Sequence, residues 1–165
     1  MTEFECNKCE LRKTCKKPVP GEFINHGSQQ TLFFIGEAPG EKEDMYNRPF
    51  VGRSGQLLRK IFLDVFYNDY NIYISNVVKC RPPNNRKPTP EEIETCLPYL
   101  LNELKNINPI LIIYLGRTAE SVSKKIENGS FKTLFLYHPS YALRTGKAEQ
   151  WIEESNSKIK QKIKF

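Results

Sequence analysis

Four short, largely apolar runs, each followed by glycine or a charged or polar residue, constrain the fold more than any other feature of this sequence. They span residues 31–35, 72–78, 110–115 and 133–137. The first two runs are typical of buried strands, as in a parallel sheet, and the other two are also expected to be strands. Because stretches with helical spacing separate the runs, the sequence predicts a three-layer α/β/α sandwich with a four-stranded parallel sheet.

Helix signals occupy the intervals between these runs. Residues 52–66 carry apolar side chains at helical spacing. The sequence Thr89-Pro90-Glu91-Glu92 predicts a capped helix start, with a capping box between Thr89 and Glu92. Helices are also expected after Gly116, to about residue 126, and over the basic tail 147–165. Residues 1–30 are expected to be irregular, and residues 1–165 to form a single domain.

Unusual residues stand where these strands end. Glu37 belongs to a Gly-Glu-Ala-Pro-Gly turn at 36–40, Asn76 lies near the end of the second run, and His138 follows the fourth. The carboxyl ends of parallel strands meet at one edge of a sheet, where ligands bind. We therefore expect these three segments to converge on one site.

The residue types in these segments suggest chemistry. A carboxylate such as Glu37 or Glu43 can orient water or stabilise a cationic sugar. A buried amide, here Asn76, needs hydrogen-bond partners and can pair with the edge of a base. Phe50 is either a core residue or a stacking face for a base. A lone histidine is more often a satisfied core residue than a catalytic one, and only the neighbouring segments favour the second role for His138.

The five cysteines predict a metal or cluster site. Cys6 and Cys9 form a C-x-x-C pair, and Cys80 and Cys96 lie far along the chain. Four thiolates can hold zinc tetrahedrally or bind a [4Fe–4S] cluster, and these residues alone do not choose between the two. Cys15 has no obvious partner spacing and is interpreted as a small buried apolar residue.

The charge fits a nucleic-acid partner without requiring one. The formal net charge is +6 and the pI is near 9, which suits either a phosphate-backbone partner or a plain basic protein. No run is long enough for a transmembrane helix, so we expect a cytoplasmic, nucleoid-associated protein without a membrane partner. The candidate phosphate contacts are Arg53, Lys79, Arg81, Arg86, Lys87 and Arg144.

Taken together, four segments resemble one known family. They are residues 36–44, 48–55, 73–83 and 138–140, and with the cysteine spacing they are similar to the iron–sulfur, or family four, uracil-DNA glycosylases. The resemblance covers nearly the whole chain. The stretch from Gly116 to His138 is shorter than in that family, and Cys15 stands where the family more often has arginine.

The resemblance implies a monofunctional enzyme that flips uracil out of DNA and hydrolyses its N-glycosidic bond, leaving an abasic site. It implies a structural [4Fe–4S] cluster on Cys6, Cys9, Cys80 and Cys96 in an N-terminal cluster-binding segment. Double- or single-stranded uracil-containing DNA would be the partner of a monomeric protein. The alternatives are a catalytically weak or inactive DNA-binding member of the same fold, and a zinc-stabilised nucleotide-binding protein.

The resemblance also implies roles for individual residues. Phe50 would stack on uracil, Asn76 would read its Watson–Crick edge, and His138 would stabilise the departing anion. Glu37, with Glu43 as a second candidate, would position water or balance charge at the sugar. The remaining expected contacts are Gly36, Ala38 and Gly40 with the substrate, and Arg53, Ser140, Leu143 and Arg144 with DNA.

Overall fold

The computed structural model describes residues 6–126 and 129–164, with the side chains of 63–65 excepted. Its sheet contains strands β1 (Glu22–Phe23), β2 (Thr31–Gly36), β3 (Asn71–Asn76), β4 (Leu111–Leu115) and β5 (Lys132–Leu136). The strand order is β1-β3-β2-β4-β5, with β1 antiparallel to β3 and the other pairs parallel. The predicted α/β class and its four parallel strands are confirmed, and the sheet gains one antiparallel edge strand.

Nine helical segments connect or follow these strands in the described ranges. They are α1 (Leu11–Thr14), α2 (Glu41–Tyr46), α3 (Arg53–Val65), a 3-10 turn (Pro83–Asn85), α4 (Pro90–Ile107), α5 (Arg117–Ser121), α6 (Ser123–Ile126), α7 (Pro139–Thr145) and α8 (Ala148–Lys164). The expectation that residues 1–30 are irregular is wrong where α1 and β1 form. The single helix expected after Gly116 is two short ones, and the predicted tail end at Phe165 lies outside the described residues.

Two apolar clusters cover the two faces of the sheet and create the three layers. On one face, Phe34 and Ile74 pack with α3 and α8 through Phe62 and Trp151. On the other face, the alternate strand residues pack with α1, α4, α5 and α6. Side chains alternate along a strand, so a strand covered on both sides is buried at every position and mostly apolar, as β2 and β4 are.

Helix α4 begins as the sequence predicts. The Thr89 hydroxyl accepts a hydrogen bond from Glu92 N at 3.2 Å, and the Glu92 carboxylate accepts one from Thr89 N at 2.8 Å. Arg86 adds two hydrogen bonds to the same carboxylate. The side-chain hydrogen bonds from Arg86, helped by the backbone hydrogen bond from Thr89, lower the pKa of Glu92, although burial acts in the opposite direction. This reciprocal cap sets the start of the helix that carries Cys96.

Candidate active site and cysteine site

A cavity of about 330 Å³ lies beyond the carboxyl ends of β2 and β3. Phe50, Asn76 and His138 line it, together with Ala38, Gly40, Glu43 and Arg53. Residues from three parts of the chain, 38–54, the end of β3 and the start of α7, therefore share one opening. Glu37 is not among the lining residues, although Ala38 beside it is.

Asn76 ends β3 and lies in register with Gly36 on β2. It is only 3% exposed, and its side-chain amide makes no hydrogen bond to another described residue. A Cβ at position 36 would stand 2.5 Å from the Asn76 Oδ1 and would also meet the Phe50 ring. Glycine at position 36 therefore permits the amide and the ring to approach the strand, leaving a buried amide that faces the cavity with donors and an acceptor available.

His138 caps helix α7, and that cap determines which ring nitrogen faces away from the helix. The backbone N–H of Ser140 donates to His138 Nδ1 at 3.1 Å, and Ser140 Oγ lies 2.8 Å from the same atom. Burial, with a smaller contribution from Arg144, lowers the pKa of His138 to about 4, although Glu43 opposes the shift. The ring is therefore neutral near pH 7, with Nδ1 as acceptor and the proton on Nε2.

Glu37 follows β2, and its carboxylate is held by a residue of the helix that follows β4. The Thr118 hydroxyl, on α5, hydrogen-bonds its carboxylate. Gly116, before that helix, has a φ of 87°, and a Cβ there would come within 3.0 Å of His138 Cβ. Sequence analysis did not single out Thr118, although its place after the third parallel strand is the signal that could have done so.

Glu43 uses its carboxylate to hold the backbone around Phe50. Its Oε1 accepts hydrogen bonds from Val51 N at 2.9 Å and Gly52 N at 2.8 Å, and its Oε2 accepts one from Gly40 N at 3.2 Å. Both oxygens are therefore engaged by backbone donors. The side chain lines the cavity while joining the start of α2 to the start of α3.

Phe50 adopts a left-handed backbone conformation, with a φ of 52°. Arg59 of α3 stabilises it by donating from Nε to the Phe50 carbonyl at 3.2 Å and from Nη2 to the Pro49 carbonyl at 3.4 Å. A Cβ on Gly55 would collide with the Phe50 backbone. The ring centroid lies 6.2 Å from that of His138, with 32° between the planes. The ring is thus held at the cavity wall by contacts that sequence analysis missed.

Helix α7 provides most of the edge expected to meet DNA. Ser140 contacts His138, whereas Arg144 is exposed. Leu143, expected to enter the DNA, is partly buried against the core. Tyr141 on the same helix is 40% exposed and stacks on Tyr137, with 4.9 Å between centroids.

Two of the candidate phosphate contacts are engaged elsewhere. Lys79 is 2% exposed and bonds to Glu103 at 2.7 Å, so its expected contact with DNA phosphate is wrong. The Arg86 guanidinium binds Glu92, which makes it part of the α4 cap. Arg53 is exposed and lines the cavity, which keeps it at the proposed substrate edge.

Four cysteines gather around a second, smaller cavity. Cys6, Cys9, Cys80 and Cys96 line it with Leu11 and Val78. Burial raises the pKa of Cys96 to about 11, although the Lys79 charge and its backbone N–H, 3.3 Å from Cys96 Sγ, oppose the shift. In residues 6–126 and 129–164, no three His, Cys, Asp or Glu side chains are close enough to bind one metal ion. The donor set, four thiols around an apolar space, is the set that iron–sulfur clusters use.

Cys15 is buried, as predicted, but it also contacts a member of this group. A hydrogen bond with Cys80 lowers the pKa of Cys15 to about 7, whereas burial acts in the opposite direction. The same contact, with burial, raises the pKa of Cys80. A fifth thiol therefore lies directly behind one of the four.

Comparison with known proteins agrees with this site. The model of the uracil DNA glycosylase superfamily matches residues 24–160. A type-4 uracil-DNA glycosylase of Pyrobaculum aerophilum is 47% identical across 84% of this chain and 80% of its own length. Type-4 enzymes of Thermotoga maritima and Saccharolobus solfataricus are 40% and 38% identical, across 94% and 96% of this chain and 90% and 82% of their own.

The fold and site define an α/β protein of the glycosylase class, with its pocket at the carboxyl edge of a parallel sheet. The chain belongs to the uracil-DNA glycosylase superfamily. The resemblance noted from the sequence is thereby confirmed. Among the described residues, no helix has both the length and the apolar character required to cross a membrane.

Proposed function

We propose that this chain removes uracil from DNA by hydrolysing the N-glycosidic bond, leaving an abasic site. The observation that carries the proposal is the shared cavity of Phe50, Asn76 and His138. Its ring, amide and imidazole supply a stacking face, an edge reader and a hydrogen-bond donor, which are the groups that recognise a flipped pyrimidine. The type-4 names of the relatives support the choice of uracil.

Stabilising the leaving group is the role of His138. Because Ser140 N–H occupies Nδ1, the neutral ring presents Nε2–H as a donor. As the glycosidic bond breaks, negative charge develops on the uracil oxygens, and a fixed donor stabilises that charge more in the transition state than in the ground state. The ring needs no positive charge for this step, and it transfers no proton to the base.

Base recognition is the role of Asn76, with Phe50 stacking on the base. The Asn76 side chain offers both a donor and an acceptor to the edge of uracil. Gly36 leaves the space for both side chains, which is why we assign it, with Ala38 and Gly40, to the substrate pocket. A substituted base edge would leave the buried amide unpaired and would be rejected on that ground.

We assign the water to Glu37, and we give Glu43 a positioning role together with the charge that faces the sugar. Among the described residues, the Glu37 carboxylate has one side-chain partner, Thr118, and it keeps acceptor capacity for a water molecule. The Glu43 carboxylate is occupied by three backbone donors. Its charge still lies at the cavity, where it favours a cationic sugar.

We propose that Cys6, Cys9, Cys80 and Cys96 hold a [4Fe–4S] cluster. The cluster would be structural, joining the N-terminal segment to the loop after β3 and to α4. The four thiols must lose their protons to bind it, so cluster assembly and folding of this segment are coupled. Zinc on the same thiols is the competing assignment, and iron and sulfide analysis of anaerobically purified protein distinguishes the two.

The proposed partner is uracil-containing DNA, double- or single-stranded, bound by one monomer. Arg53, Ser140, Leu143 and Arg144 would contact it, with the exposed Tyr137–Tyr141 pair extending the same edge. We place the reaction in the cytoplasm at the nucleoid, where such DNA is found. Residues 1–165 would act as one domain.

A labelled oligonucleotide with one uracil tests the proposal. The cluster-loaded protein is incubated with it and then alkali is added, which cuts the strand at an abasic site. Cutting is expected with uracil and none with a thymine control of the same sequence. Binding of the uracil strand without cutting would reject the proposal and favour the inactive DNA-binding alternative.

A further inference from the structure

The buried Lys79 is tied directly to the residue that ends β3. Its ammonium lies 2.9 Å from the Asn76 carbonyl oxygen and 2.7 Å from Glu103 Oε2, and it also contacts Ser75 Oγ. A lysine ammonium has three N–H donors, and these three acceptors satisfy all of them. The ammonium therefore belongs to a fixed internal network and has no N–H donor left for a phosphate.

Glu103 connects that network to the surrounding segments. Its Oε1 accepts a hydrogen bond from Gly21 N at 3.0 Å, and its Oε2 accepts one from Ser75 Oγ at 2.7 Å. The Tyr73 hydroxyl bonds to the same carboxylate, and burial, with a smaller contribution from Glu103, raises the pKa of Tyr73. The Lys79 ammonium is thus held directly by α4 and β3, and Glu103 in turn is held by the N-terminal segment, so the ammonium has little freedom to move.

The backbone of Lys79 is also anchored at both polar groups. Its N–H donates to Cys96 Sγ at 3.3 Å, and its carbonyl accepts from Val19 N at 2.6 Å. Lys79 precedes Cys80, so its main chain is part of the cysteine site. One residue therefore contacts a proposed cluster thiol through its backbone and the proposed base reader through its side chain.

We propose that Lys79 is a positioning residue for base recognition. It fixes the backbone of Asn76 and connects that backbone to the cysteine site. The inference rests on the role proposed above for Asn76. A buried charged pair adds little net stability compared with apolar residues of the same size, so stability alone gives no reason for it here. A network that is fully satisfied fixes one arrangement, and an amide reading a base edge needs that precision.

A double-mutant cycle tests whether Lys79 acts through Asn76. The paired variant Lys79→Met/Glu103→Gln removes the donor to Asn76 without leaving a buried charge unpaired. We expect it to lower the single-turnover rate of uracil release by about 10- to 100-fold, the size of effect that a small misplacement produces. In an Asn76→Ala background, the same two substitutions should lower the single-turnover rate by less than about 2-fold, because effects acting through one contact are not additive.

Matched controls separate positioning from loss of fold. Lys105→Met/Glu91→Gln makes the same chemical changes at exposed sites of α4 and should keep the wild-type rate. The visible absorbance of the cluster and the Tm should persist in the Lys79→Met/Glu103→Gln variant. If that variant yields no cluster-loaded protein, Lys79→Leu/Glu103→Leu, which replaces the pair by apolar residues, enters the same cycle.

Each outcome decides between the claims. Equal fold losses with and without Asn76→Ala would overturn the inference and leave the role of Asn76 intact. The inference would also be overturned if the rate of the Lys79→Met/Glu103→Gln variant fell only in proportion to its cluster content, since Lys79 would then act on the cysteine site alone. A wild-type rate for Asn76→Ala would reject the proposed role of Asn76, and the Lys79 inference with it.

Discussion

The backbone N–H of Ser140 donates a hydrogen bond to His138 Nδ1 at 3.1 Å. This contact makes the catalytic candidate its own helix cap and assigns the tautomer of its neutral ring. The proton on Nε2 becomes the donor available to a leaving group. The same residue thus begins helix α7 and presents a donor at the cavity.

The pH dependence of base release should reflect that half-buried neutral ring. Because burial lowers the pKa of His138 to about 4, from an ordinary 6.5, the single-turnover rate should show no His138 inflection near 6.5. Nuclear magnetic resonance can follow the ring directly, since the chain has two histidines and His26→Gln identifies the other. A His138 titration near 6.5 would contradict the proposed neutral donor.

The same shift has a definite sign for stability. The unfolded chain takes up this proton near pH 6.5 and the folded chain only near pH 4, so acidification between these values favours unfolding. The stabilising contribution is fully present above 6.5 and is lost as the pH falls towards 4. Denaturant titrations should show a shallower pH slope over this window in His138→Gln than in the wild type.

Substitutions of Glu43 and Glu37 should differ in their effects on the free energy of unfolding and on the rate of uracil release. Glu43→Gln places an amide against three backbone donors, and we expect it to cost about 1–3 kcal/mol in free energy of unfolding. Glu37→Gln keeps an acceptor for Thr118, so it should leave unfolding nearly unchanged. Its rate of uracil release should fall about 10²- to 10⁴-fold if Glu37 activates water. The reverse pattern would exchange their assigned roles.

Two substitutions of Phe50 distinguish the contribution of its ring to DNA binding from the contribution of its backbone conformation to stability. Phe50→Ala and Phe50→Gly both remove the stacking ring, so both should weaken the binding of uracil-containing DNA. Because the φ at this position is 52°, glycine relieves a left-handed strain of roughly 1 kcal/mol that alanine retains. Denaturant unfolding should therefore find the glycine variant more stable than the alanine variant.

Arg144 should act on DNA and on His138 together. It is exposed on α7, and its charge contributes to the lowered pKa of His138 after burial. Arg144→Ala should weaken DNA binding and reduce the slope of log affinity against log salt by about 1 if the side chain contacts a phosphate. The pKa of His138 should rise in the free Arg144→Ala protein. An unchanged pKa would show that the Arg144 charge does not act on the His138 ring.

The cysteines should divide into four that hold the cluster and one that does not. Cys96→Ser should lower iron and sulfide content and the Tm, because a ligand is lost from the site that anchors the N-terminal segment. Cys15→Ser, also buried in a cysteine contact, should keep both. Zinc instead of iron in the wild type would replace the cluster assignment, and iron loss in Cys15→Ser would make it a ligand.

The local pattern of the sequence was enough to identify the parallel strands and the start of α4. Short apolar runs, and a capping box that forms between near neighbours, are decided by residues close in the chain. The tail helix was predictable for the same reason. Strand β1 was not, because its two residues pair with β3 across 50 residues and have no distinctive pattern of their own.

By itself, the sequence determined that Asn76, His138 and the turn at 36–40 meet at one sheet edge, because parallel strands end together. Only the tertiary structure decided what each side chain does there. It turned Lys79 inwards onto Asn76, occupied Glu43 with backbone donors and gave Glu37 a partner in Thr118. Such assignments depend on contacts between residues far apart in the chain, and a charged residue looks the same in sequence whether it faces water or a buried carbonyl.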